Sequence, residues 1–205
     1  MKPNILRVSI AALMLIAGGN AAEAHIVAAR LGDFYMGVVH PLTDLQDVVL
    51  WTATGVLAGT LGGAKGRWLI PVFPLGLLAG LLLGHVFGAV STQLADAAMM
   101  LAIGMLLAAA AQVPTALLCA MAFVVAVIRG AANGADLAPE TDRVLFAAGL
   151  ACVGYAAITL TMALTEVFRR TAADSATSWR AIAVRALGGW IAAIGLMMAS
   201  LALAS

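Results

Sequence analysis

The chain has 205 residues, of which 63% are apolar and only 10% charged, and its mean hydropathy of +1.05 excludes an ordinary water-soluble domain. The formal net charge of +1, with no basic tract or aromatic platform, gives no footing for a nucleic-acid partner. Its length suits a bundle of about six or seven apolar spans and leaves no room for a separate soluble domain of ordinary size.

Residues 1–24 have the form of a cleavable signal peptide. Lys2 and Arg7 precede the apolar run "VSIAALMLIAG", and Ala22 and Ala24 occupy the small-residue positions of a signal peptidase site. The alternative is an uncleaved first helix. Cleavage after Ala24 makes His25 the new N-terminus, where the α-amine and the ring nitrogen form a pair able to chelate copper or nickel.

Beyond the leader the apolar runs cover residues 44–60, 68–88, 95–110, 114–128, 143–165 and 180–203. This pattern predicts an all-α integral membrane protein with a single six-helix transmembrane domain over residues 25–205, its first span interrupted near His40 and Pro41. The third and fourth runs are separated by "AAQVP", where Gln112 and Pro114 suit a tight turn in a helical hairpin. Lys65 and Arg67 lie in the first loop and Arg169, Arg170 and Arg180 around the fifth, whereas "RGAANGADLAPETDR" sets three acids against two arginines. Basic loops stay cytoplasmic, so six spans place both mature termini on the outer face of a bacterial inner membrane. Gly76, Gly80, Gly84 and Gly88, with Gly55 and Gly59, recur every fourth residue. They predict close helix packing, and offer faces for a second copy or for partners in a membrane complex.

The polar stretch "GVVHPLTDLQDVVLW" precedes and enters the first span. On one continuous helix His40, Asp44 and Asp47 share a face. Thr43 followed by Gln46 fits a capping box that starts the regular span near residue 44, leaving "LGDFYMGVV" as a separate short segment with Tyr35 near the headgroups. Thr43 and Asp44 are therefore readable as helix caps and His40 as a hydrogen-bonded end residue. Asp47 lies a turn deeper, where a carboxylate needs a partner, water or an ion. His85, Asp96, Arg129, Asn133 and Asp136 fall at the same end of the predicted bundle, and Glu166 at the other. The candidate metal ligands are thus His40, Asp47, Asp44, His85, Asp96 and His25.

The order of these elements resembles the HupE/UreJ family of small membrane proteins, regarded as nickel or cobalt permeases associated with hydrogenase and urease maturation. The likeness covers nearly the whole chain, most clearly "DFYMGVVHPLTDLQDVVLWTATGVLAG", in which His40 and Pro41 match the family's His-Pro. Asp44 stands where the family has glycine, Gln46 where it has aspartate and Asp47 where it has histidine. Asp96 takes the place of a glutamate, Arg129 and Asn133 those of two histidines, and Ile158 falls near a fifth-span histidine. The resemblance implies a secondary-type permease for a divalent transition-metal cation, nickel or cobalt. The alternative is a non-transporting membrane subunit or assembly factor of a larger complex.

No permanently bound cofactor is expected, and without a Walker motif any transport runs on a gradient, the membrane potential or downhill flux. Cys119 and Cys152 read as small packing residues. Met99, Met100, Met105, Met197 and Met198 read as packing residues that could also offer thioethers to monovalent copper. Neither HExxH nor a serine-histidine pairing is present, which argues against an enzyme.

Overall fold

The computed structural model describes residues 32–88, 91–135, 137–170 and 179–204. Residues 1–24, expected to form a signal peptide, lie outside the described residues, as do His25 and Asp136. The described residues form helices α1 (Asp33–Thr43), α2 (Leu45–Leu61), α3 (Gly63–Gly66), α4 (Leu69–Phe87), α5 (Gln93–Ala108), α6 (Thr115–Ala135), α7 (Arg143–Arg170) and α8 (Trp179–Ala204).

Among the described residues, four runs are long and apolar enough to cross a bilayer: Gly63–Phe87, Thr115–Ala135, Arg143–Arg170 and Trp179–Ala204. This corrects the expectation of six. Leu45–Leu61 and Gln93–Ala108 have 17 and 16 residues, roughly 24–26 Å at 1.5 Å per residue against a hydrocarbon core of about 30 Å. Their composition is membrane-like, but their ends are fixed locally. Asp44 caps α2 by accepting from the Gln46 amide at 2.7 Å, and Gly62, at φ +88°, turns the chain at the other end as few other residues could. The alternation that placed both termini outside rested on six crossings and does not carry over.

The expected interruption at His40 and Pro41 is also displaced. Pro41 is accommodated within α1, and the break falls at the extended Asp44. The Thr43 hydroxyl donates to the His40 carbonyl at 2.8 Å and closes the end of α1, so the α2 cap is Asp44 rather than Thr43.

Glycine decides which helices meet. A Cβ on Gly80 would lie 2.1 Å from the Val127 carbonyl oxygen and one on Gly84 2.0 Å from that of Ala131. From the other side, a Cβ on Gly130 would lie 2.2 Å from the Leu77 oxygen. Helices α4 and α6 therefore run parallel with their backbones in contact, and this ridge is consumed inside the chain. Gly55 and Gly59 seat α2 on α7 through Thr161 and Thr165, and Gly37 and Gly149 seat α1 on the start of α7. Gly104, Gly188 and Gly195 join α5 to α8 in antiparallel register. The expected hairpin of α5 and α6 is thus one of sequence only, since each packs mainly on another helix.

Gly80→Ala is expected to cost about 1–3 kcal/mol, because the clash is with backbone and the helices must part. Gly189→Ala, where an added Cβ meets nothing within 4 Å, should stay within about 0.5 kcal/mol. Thermal unfolding of the detergent-solubilised protein compares the two, and equal midpoints would contradict the α4–α6 contact.

These registers separate the charges. The starts of α2, α5 and α7 meet the ends of α4 and α6, bringing together Asp44, Asp47, Asp96 and Arg129. At the opposite end lie Lys65, Arg67, Arg169, Arg170, Arg180 and Arg185. There Lys65 donates to the Val113 carbonyl at 3.0 Å and Arg185 to that of Ala108 at 2.9 Å.

Candidate functional site

Arg129 lies in the last two turns of α6 with 1% of its surface exposed. A guanidinium so placed is costly unless carboxylates surround it and its N–H groups are bonded. Both conditions are met. Its Nε donates to Asp47 Oδ1 at 2.8 Å. Its Nη1 donates to Asp96 Oδ2 at 2.9 Å and to Gln46 Oε1 at 2.8 Å, and its Nη2 donates to Asp44 Oδ2.

Each partner is held in turn. Asn133, one turn beyond Arg129, donates through Nδ2 to Asp47 Oδ2 at 2.9 Å and to the Arg129 carbonyl at 2.8 Å. These two acceptors fix the amide's orientation and leave Asn133 Oδ1 facing elsewhere. The Thr92 hydroxyl, just before α5, donates to Asp96 Oδ2 at 2.8 Å. Asp44 caps α2 with one oxygen and meets the guanidinium with the other. One side chain thereby ties together α2, α5 and α6.

Asp47 and Asp96 are fully buried, while the Asp44 side chain keeps 40% of its surface exposed and forms the solvent edge of the cluster. With all three ionised, the carboxylates outweigh the guanidinium by two negative charges. Asp96 Oδ1, Asn133 Oδ1 and the nearby Trp51 Nε1 are buried with no protein hydrogen-bond partner. The cluster thus has unused acceptor capacity as well as excess negative charge.

Of the residues singled out from sequence, Asp44, Asp47 and Asp96 converge. His40 sits on α1 with its ring edge-on to Phe146, centroids 6.1 Å apart, and none of the bonds to Arg129 involves it. His85 is exposed near the end of α4 and takes no part in the network. Among the described residues no three histidine, cysteine or carboxylate side chains are arranged around one metal position, because the aspartates are directed at the guanidinium. Sequence reasoning placed Gln46 in a capping box and Arg129 at the polar end of the bundle, and missed them as the centre of the cluster. The available signal was a lone arginine within "AFVVAVIRGAANG", which demands a buried counter-charge. Thr92 gave no such signal.

The profile of the family described as HupE / UreJ protein matches residues 11–198. Protein HupE of Rhizobium leguminosarum bv. viciae is 27% identical over 154 residues, which cover 73% of this chain and 76% of that protein. No solved structure matches the chain.

Proposed function

Because the chain belongs to the HupE / UreJ family, which places it among multi-pass membrane permeases and not among enzymes, we propose that it passes a divalent transition-metal cation, nickel or cobalt, as a secondary-type permease. The observation that carries this reading is the charge of the buried cluster. When all three are ionised, Asp44, Asp47 and Asp96 exceed Arg129 by two negative charges, the amount one divalent cation neutralises. Carboxylate and amide oxygens with unused acceptor capacity are acceptable donors to such an ion.

In this reading Arg129 is a resident counter-ion. It keeps the aspartates from standing unpaired when no cargo is present, and an arriving cation competes with it for the same oxygens. Asp44, at the exposed edge, meets the cargo first, and Asp47 and Asp96 receive it deeper. His40 and His85 supply imidazole at the same end, outside the buried network, with His25 beyond them if the leader is removed. The basic end is assigned to the cytoplasm of a bacterial inner membrane and the acidic end to the outside.

Uptake of nickel, cobalt, copper, zinc and manganese into vesicles carrying the purified protein tests the reading. Asp47→Asn is expected to lower nickel or cobalt uptake at least tenfold, because it removes a fully buried charge from the path. Undiminished uptake by a folded Asp47→Asn protein would sink the role given to that carboxylate. Absence of uptake of every ion by the parent protein would point to a non-transporting subunit.

A further inference from the structure

At the basic end, α8 is drawn toward α5 and away from α7. A Cβ added at Gly188 would stand 2.6 Å from the Ala108 amide nitrogen, and one at Gly195 2.6 Å from that of Leu101, whereas contact between α7 and α8 is slight. The result is a groove of about 650 Å³ between α2, α7 and α8, walled by Val56, Leu164, Phe168, Ala183 and Leu187, with Arg180 at one end. This volume is within the range of about 300–1,000 Å³ that holds a ligand of moderate size.

The groove has a polar end and an apolar depth. Arg180, near the start of α8, donates through Nη1 to the Phe168 carbonyl at 2.9 Å, with its guanidinium 5.3 Å from the Phe168 ring centroid and 5.4 Å from that of Trp179, so a carbonyl and two aromatic surfaces position its charge. Leu187 lies two turns further on, roughly 10 Å deeper along the helix. A second cavity of about 120 Å³, lined by Arg169 and Arg185 among others, adjoins the first and shares Val184 with it. The acid in the described part of α7 at this end, Glu166, is already bonded to Arg170 at 2.6 Å.

We propose that this groove is a binding site for an anionic phospholipid, with one acyl chain along the apolar wall and the phosphate at the level of Arg180, Arg169 and Arg185. An aliphatic chain matches the wall, and a phosphate matches the arginines in charge and in donor geometry. A second copy of this protein in the same membrane would bring an equal set of cations to the same depth, which like-charge repulsion disfavours. The proposal is independent of the cargo assigned at the opposite end.

Native mass spectrometry of the full-length protein, mixed with phosphatidylglycerol or with phosphatidylcholine of identical chains, supplies the test. Phosphatidylglycerol is expected to be retained at least fivefold more than phosphatidylcholine. Ala183→Trp, which fills the groove, should lower phosphatidylglycerol retention to the phosphatidylcholine level. Arg180→Gln combined with Arg185→Gln should lower it at least fivefold with the groove intact. Equal retention of the two lipids, or undiminished phosphatidylglycerol retention by Ala183→Trp, would overturn the proposal. Should Ala183→Trp fail to yield folded protein, Leu187→Trp blocks the same groove from an exposed position and is read by the same criteria.

Discussion

Replacing Arg129 with leucine is expected to destabilise the folded protein by about 3–5 kcal/mol, because Asp47 and Asp96 remain buried without a cation. The magnitude does not measure the strength of the ion pairs. Removing charges from water costs much of what their attraction returns, so an intact buried cluster contributes little net stability. Leucine leaves that cost in place and takes the attraction away, while Gln46 Oε1 also loses its donor. Adding Asp47→Asn and Asp96→Asn to Arg129→Leu should therefore restore more than half of the loss, although it deletes more of the native network. Chemical unfolding in detergent reads both effects. A loss below about 1 kcal/mol for the single change, or no recovery in the triple one, would show that Arg129, Asp47 and Asp96 are not the buried, coupled unit described.

Membrane residence and helical character were legible because they depend on composition and on apolar runs that need no distant partner. The glycine spacing of α4 was legible for a similar reason, since positions 76, 80 and 84 fall on one helical face whatever they meet. The number of spans was not. Hydropathy registers the apolar content of α2 and α5, but their lengths are set by a capping carboxylate at Asp44, a positive-φ glycine at 62 and the turn after Ala108. The convergence of Asp44, Asp47 and Asp96 could be anticipated from their places at helix ends on one side of the bundle. What joins them could not, because Arg129 on α6 meets Asp47 on α2 across 82 residues of sequence, a contact set by tertiary packing that no local pattern announces. His85 shows the same limit from the other direction. Its height along the bundle was inferred from sequence, but the face of α4 that carries it is set by the glycines turned toward α6.

Arg129→His is expected to bind nickel or cobalt roughly tenfold to a hundredfold more tightly than the parent protein. Seven positions depart from the pattern the chain otherwise resembles, and six of them, Asp44, Gln46, Asp47, Asp96, Arg129 and Asn133, belong to one hydrogen-bonded network, Ile158 being the exception. On that resemblance the six changes are linked: a permanent cation stands where the pattern implies a histidine, and aspartates gather around it. At an effective dielectric of about 20, a unit charge at 4 Å from another contributes about 4 kcal/mol. Removing the guanidinium's repulsion of an incoming ion thus covers a tenfold gain, about 1.4 kcal/mol, even after a large discount for water at the Asp44 edge. The replacement imidazole also adds a nitrogen ligand when neutral. Because an imidazole must lose its proton to ligate, affinity in Arg129→His should rise as pH increases through about 6.5, while the parent arginine stays charged across that range and shows no such step from position 129. Calorimetric titration at several pH values, on protein whose helicity and unfolding midpoint have been checked, reads the gain and its slope together. A folded Arg129→His protein with unchanged affinity would remove Asp44, Asp47 and Asp96 as ligands for the cargo, and leave the cluster as a fastening between α2, α5 and α6.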